Sequence, residues 1–143
     1  MPTNDKAQPA YAVDTSVAIP FLDATHSAHS VCVAELASKR LAFAGHAAFE
    51  SLAVLTRLSG ALRVDMVDAL AAIRLAFPES CWLAAEQQAE LLDRLGSSGL
   101  RGGMIYDALV GEAARVNGRV LLSRDRRAIA TYEFLGINYQ LIS

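Results

Sequence analysis

Near the start of the chain Tyr11-Ala12-Val13 runs into Asp14-Thr15-Ser16, and a second apolar run opens at Val17. A buried strand that ends in a polar cleft and passes directly into a helix has this order of residues. In an open α/β sheet, ligands bind at the carboxyl ends of the strands. An Asp at the end of a first strand therefore constrains fold and function together. One Asp is also what a helix cap requires, so the weight falls on whether other acids reach the same edge.

The chain has 143 residues, one domain's worth, and a chain of that size buries roughly 68–70% of its unfolded surface without staples. Its 53% hydrophobic content and mean hydropathy of +0.28 suit apolar strands covered by Ala- and Leu-rich helices. No run approaches the ~18 apolar residues of a membrane span, and Met1 to Lys6 lacks the apolar region of a signal peptide. Both features point to the cytoplasm. Cys32 and Cys81 lie in unrelated apolar segments without metal-ligand spacing and read as small buried hydrophobes in a reducing compartment.

The net charge of −2 argues against nucleic-acid binding by bulk electrostatics. The charge is unevenly spread, however. From Arg94 onward seven Arg stand against Asp107, Glu112, Asp125 and Glu133, a net of +3, which leaves −5 on the rest. A basic carboxy-terminal third suits a polyanionic substrate and equally suits a solvated surface.

In chain order, residues 1–9 read as a flexible tail and 10–143 as a single domain. Ala10 to Val13 is a buried strand, and Ser16 to Leu22 a short helix disturbed by Pro20. His29 to Arg40 has helical spacing at Val33, Leu36 and Ala37, and Leu41 to Ala44 is a strand stopped by Gly45. His46 to Ser59 is a helix with Gly60 as its C-cap. Asp65 caps a helix that runs until Pro78. Cys81-Trp82-Leu83 is strand-like and Ala84 to Leu95 an amphipathic helix. After the loop from Gly96 to Gly103 come a helix over Met104 to Val116, a strand over Val120 to Ser123, a helix over Arg126 to Leu135 and a last strand over Tyr139 to Ile142. Strands alternating with helices throughout predict an α/β fold with a parallel sheet and helices on both faces.

Three further acids sit in unexpected places. Glu50 has Ala47, Ala53 and Val54 as helical neighbours, so it either points out at a helix edge or shares a site with a cation, because an unpaired buried carboxylate is costly. Asp107 has only apolar residues or Gly as helical neighbours and falls early in its helix, where the helix dipole alone favours an anion. Asp125 suits an N-cap, yet it repeats the opening pattern of strand, hydroxyl, acid and helix. Asp14 and Asp125 follow strands that end on one edge of a parallel sheet, and helices entered from that edge carry Glu50 and Asp107 in their early turns. Four converging carboxylates repel one another unless a cation lies between them. Hard divalent ions such as Mg²⁺ or Mn²⁺, which take oxygen ligands, meet that need. His26, His29 and His46 are loop-placed or isolated and supply no zinc set.

The order Asp14-Thr15-Ser16, Glu50, Asp107-Ala108 after a glycine loop, then Ser123-Arg124-Asp125, resembles the PIN domain. The stretches Gly102-Gly103-Met104-Ile105-Tyr106-Asp107-Ala108-Leu109 and Leu121-Leu122-Ser123-Arg124-Asp125-Arg126-Arg127-Ala128 look like those of the VapC toxins of toxin–antitoxin pairs. The likeness runs from about Ala10 to the end. Ser stands at 123 where Thr is common, which keeps the hydroxyl.

The resemblance implies a three-layer α/β/α fold around a parallel sheet of four to five short strands. It also implies a metal-dependent endoribonuclease toxin that inhibits translation and growth. Asp14, Glu50, Asp107 and Asp125 would be the catalytic acids and would hold one or two Mg²⁺ or Mn²⁺ ions. Thr15, Ser16 and Ser123 would orient the carboxylates, and Arg101, Arg124, Arg126 and Arg127 are candidates for RNA phosphates. The implied partners are an RNA substrate, a cognate VapB-type antitoxin that covers the site and a second copy in a homodimer, with no membrane. Surplus apolar helix surface around residues 29–77 is the expected place for the dimer and antitoxin contacts. The competing reading from another class is a PIN-fold module that binds RNA or a partner without cutting. A dehalogenase-like phosphatase would need Asp at Ser16, and a P-loop would need a Lys that the Gly96–Gly103 loop lacks.

Overall fold

The computed structural model describes residues 8–58 and 63–143. Residues 1–7 of the expected tail, Ser59 and the Gly60 cap lie outside them. Among the described residues the order is β1 (Ala10–Val13), α1 (Thr15–Leu22), α2 (His29–Leu36), β2 (Arg40–Phe43), α3 (Ala47–Arg57), α4 (Met66–Ala76), α5 (Ala85–Leu95), α6 (Met104–Val116), β3 (Val120–Ser123), a 3₁₀ turn (Arg126–Ala128), α7 (Ile129–Phe134) and β4 (Tyr139–Leu141).

The four strands form one parallel sheet in the order β2-β1-β3-β4. Helices surround it in a three-layer α/β/α arrangement, as expected. Val13 pairs with Phe43 on one side and with Leu122 on the other. Ala12, Val13, Ala42, Leu121 and Leu122 are fully buried. That is why these segments read as unbroken apolar runs, as strands covered on both faces do. Burial of each Leu stabilises by about 1.5–3 kcal/mol relative to exposure. Because β1 sends the chain to β2 on one side while β3 lies on the other, the order reverses between β1 and β3. The crevice at the carboxyl ends of those two strands is a topological switch point, the usual ligand site of such sheets.

Strand and helix do not alternate throughout. Helices α3 to α6 follow one another between β2 and β3, and Cys81-Trp82-Leu83 is not a strand. The chain touches the sheet edge through one isolated bridge between Ala42 and Glu79 and then leaves it. Gly45 N donates to Cys81 O at 2.9 Å, and the Cys81 thiol donates to Ala113 O at 3.3 Å. The buried Cys81 beside the half-exposed Trp82 imitates strand alternation without a partner strand. Three boundaries also move. The helix begun at His29 stops at Leu36 because Ser38 adopts a positive φ of 63° and Arg40 already pairs with Ala10. Helix α1 starts one residue earlier, at Thr15, and continues through Pro20. The expected helix from Arg126 opens as a 3₁₀ turn because the Asp125 side chain accepts from Arg127 N.

Candidate active site

Asp14, Glu50, Asp107 and Asp125 line one pocket of about 80 Å³ at the β1/β3 switch point, together with Thr15, Ser16, Val110 and Tyr132. Four distant parts of the chain deliver the acids. Asp14 is the residue at which β1 becomes α1. Its backbone N donates to Leu122 O at 3.3 Å, and its carbonyl accepts from Val17 N and Ala18 N. Its carboxylate makes no cap bond to α1 and is therefore free to face the pocket. Glu50 lies in the first turn of α3. Asp107 lies early in α6, its N bonded to Gly103 O at 3.2 Å. Asp125 serves two roles, since it lines the pocket and its Oδ1 caps the turn by accepting from Arg127 N at 3.0 Å.

A set of hydroxyls holds the buried Asp14. Ser16 Oγ donates to Asp14 Oδ1 at 2.5 Å, and Tyr132 Oη donates to Oδ2 at 3.1 Å. Ser16 Oγ also accepts from Arg124 N at 2.7 Å and lies 3.4 Å from Ser123 Oγ. Ser123 Oγ in turn accepts from Asp125 N at 3.1 Å. The ends of β1 and β3 are thus fixed to each other through Ser16 and Ser123. Thr15 behaves differently. Its hydroxyl is buried in the same pocket without any hydrogen-bond partner.

Burial and neighbouring charges raise the proton affinity of Asp14, Glu50 and Asp107. Burial pushes the Asp14 carboxyl up against the pull of its hydroxyl donors. Burial is also the main cause for Glu50, which His46 partly offsets and Asp14 reinforces. Asp107 is pushed up to about 6, first by burial and then by Asp125, Asp14 and Glu50. Basic side chains close to the acids are few. Among the described residues Asp125 has Arg127 Nε at 4.0 Å and Glu50 has His46 Nε2 at 4.0 Å. Among the described residues no Lys or Arg forms an ion pair with Asp14 or Asp107. Of the seven Arg in the basic third, Arg94 and Arg115 pair with the buried Glu112, and Arg119 bonds Tyr11 O and Glu79. They are structural.

A divalent ion fits this donor set. The acids supply hard oxygens, Thr15 with its unpartnered hydroxyl lines the same pocket, and about 80 Å³ is room for roughly two or three waters. Among the described residues, no three His, Cys, Asp or Glu side chains close into a ready-made metal cage. Mg²⁺ keeps several waters and needs few direct carboxylates.

The Arg candidates separate. Arg124 is half-buried, and its Nε is without a hydrogen-bond partner. With Arg127 and His26 it lines an open cleft that shares Thr15, Ser16 and Asp125 with the acidic pocket. Arg126 is exposed on the 3₁₀ turn, and Arg101 is exposed on the loop before α6, outside these cavities. His26 accepts from Ala28 N and His29 bonds Pro20 O.

Two residues went unnoticed in the sequence. Tyr132 carries no reading of its own in the sequence, and His46 reads there as loop-placed or isolated. His46 was detectable as the i−4 neighbour of Glu50 on one helix face, whereas nothing local marks Tyr132.

A family model described as the PIN domain matches residues 11–134. The chain is 41% identical over 131 residues to ribonuclease VapC27 of Mycobacterium tuberculosis, which spans 92% of this chain and 96% of that protein. It is 37% identical over 134 residues to ribonuclease VapC40 of the same species, across 92% and 98% of the two chains.

Proposed function

The chain belongs to the PIN-domain family, and from that premise we propose that it is a metal-dependent endoribonuclease acting as the toxin of a toxin–antitoxin pair. The observation that carries this reading is the convergence of Asp14, Glu50, Asp107 and Asp125 on one small pocket, with no Lys or Arg pairing Asp14 or Asp107 among the described residues. The ribonuclease relatives named above support it.

In this reading the four acids hold one or two Mg²⁺ or Mn²⁺ ions. Such an ion, when bound, supplies the Lewis acidity that makes water a nucleophile toward a phosphodiester and offsets charge in the transition state. Ser16 and Tyr132 fix the Asp14 oxygens in place, so that little reorganisation is required during the reaction. Ser123 holds the chain that leads to Asp125. Arg124 and Arg127, in the adjoining cleft, bind backbone phosphate and set the register of the strand without reading sequence. Protonation of Asp107, whose carboxyl is pushed up to about 6 in the metal-free chain, competes with the ion, so metal binding weakens as the pH falls.

A cognate VapB-type antitoxin and a second copy of the chain are the proposed partners. Exposed Met66, Val67 and Leu75 on α4 support an interface within residues 29–77.

The test is cleavage of total cellular RNA with Mg²⁺ or Mn²⁺, by the wild type and by Asp14→Asn and Asp107→Asn. The expected result is cleavage by the wild type alone, abolished by EDTA, with both variants keeping the wild-type circular dichroism. Full activity in either variant, or in EDTA, rules the mechanism out. RNA binding without cleavage under any metal favours the non-cutting module. Sequencing the cleaved ends identifies the RNA.

A further inference from the structure

Beside the acidic pocket lies a second cavity, of about 190 Å³, lined by His46, Phe49, Trp82, Leu83, Gln88 and Leu109 among others. Its aromatics are unusually bare, with Phe49 61% exposed and Trp82 52%. Phe49 meets Trp82 edge-on at 5.9 Å, and His46 stacks on the half-exposed Tyr106 at 5.1 Å and 15°. Helices α3 and α6 contribute residues to both cavities. His46 lines the aromatic one and lies 4.0 Å from Glu50, which lines the acidic one. On α6, Leu109 and Val110 line one each.

We infer that this aromatic cavity is a base-binding subsite, which holds one unstacked base of single-stranded RNA while the adjoining phosphate lies at the acids. The inference rests on the nuclease reading above and adds the substrate's form. At about 80 Å³ the acidic pocket takes an ion with its waters and phosphate oxygens, but no base. A base attached to that phosphate needs a neighbouring space, and the aromatic cavity has more than twice the volume. Aromatic faces accept any base, and RNA is commonly held by bases splayed out of the stack onto such side chains. On the other side of the acids, the cleft with Arg124 and Arg127 suits backbone phosphate. The strand therefore crosses the sheet edge with a base on the α3/α6 side and phosphate on the α1 side. A regular duplex keeps its bases stacked and cannot fill the cavity.

Trp82 is the sole tryptophan and reports on its own subsite. The full chain is titrated in Mg²⁺ with a short cleavage-resistant single-stranded RNA, with the same backbone carrying abasic residues, and with an RNA duplex. The single strand is expected to quench Trp82 fluorescence, and the other two are not. Phe49→Ala is expected to weaken the base-bearing strand by about 5- to 100-fold, the range for one lost stacking contact, while leaving the abasic strand unchanged. Equal quenching by the abasic strand, equal loss for both strands, or no quenching by any of the three overturns the subsite. So does a Phe49→Ala protein that changes its oligomeric mass but binds RNA as before, which would assign the cavity to a protein contact. Because binding is read without catalysis, failure here leaves the nuclease test untouched, and an uncut RNA leaves this one standing.

Discussion

Tyr132 Oη donates to Asp14 Oδ2 at 3.1 Å, joining residues 118 positions apart. The Tyr132 ring is buried, at 1% exposure, so the phenol comes to the acid from a fixed body. Burial and the nearby Asp14 raise the phenol's pKa, so it stays a donor at any working pH. Tyr132→Phe removes the donor and keeps the ring. It should lower Mn²⁺ affinity by about 10- to 100-fold, the usual cost of losing a partner behind a metal ligand. Calorimetric titration of Mn²⁺ checks this, and wild-type affinity in the variant would leave Tyr132 with a packing role alone.

Gly111 faces the same ring from inside α6. A Cβ there would come within 3.0 Å of Tyr132 Cδ1 and 3.1 Å of Ile137 Cγ1. Gly to Ala in a helix interior normally gains about 1 kcal/mol. Here the ring must give way, and with it the bond to Asp14. Gly111→Ala should therefore lower the melting temperature and weaken Mn²⁺ binding together. A variant that melts higher and binds Mn²⁺ normally contradicts this coupling.

The metal-free protein should gain stability from Asp107 as the pH falls from about 6 toward 4. Its folded pKa, about 6, stands above the ordinary 3.8, so the folded state holds the proton more tightly and unfolding releases it. The half-exposed position screens the effect to about 1–2 kcal/mol. Asp107→Asn should remove this slope and melt above the wild type at pH 7.5, with the difference closing by pH 4. Added Mn²⁺ should reverse the order at pH 7.5, because it stabilises only the chain that keeps its ligands. Parallel pH profiles for the two proteins would exclude the carboxylate repulsion argued above.

Glu112 tests the structural share of the basic third. Its side chain is 4% exposed, while Arg94 and Arg115, which bond it at 2.9 and 2.5 Å, are 43% and 42% exposed. Removing the acid leaves two cations that reach water, but removing both cations strands a buried carboxylate. Urea unfolding should show Glu112→Gln costing about 1–2 kcal/mol and the Arg94→Ala, Arg115→Ala pair about 3–5 kcal/mol. Equal costs would place the pairing energy elsewhere.

The sequence by itself determined the elements that carry the acids. Strands β1 and β3 and helix α6 are legible because burial on both sheet faces demands unbroken apolar runs, and Asp14, Glu50 and Asp107 stand out against apolar neighbours. Their local setting could not separate cap or surface from ligand, since each of those roles asks for the same residue. The tertiary structure decided where they meet. It left the Asp14 carboxylate uninvolved in capping, gave Asp125 both roles, and put all four on one pocket because the strand order reverses between β1 and β3. It alone supplied Tyr132, whose contact with Asp14 depends on how α7 packs and has no local signature. It alone denied Cys81-Trp82-Leu83 a place in the sheet, because an alternating pattern makes a strand only where a neighbour's backbone is free to pair. The acids were written in the chain, and their meeting was a property of the sheet.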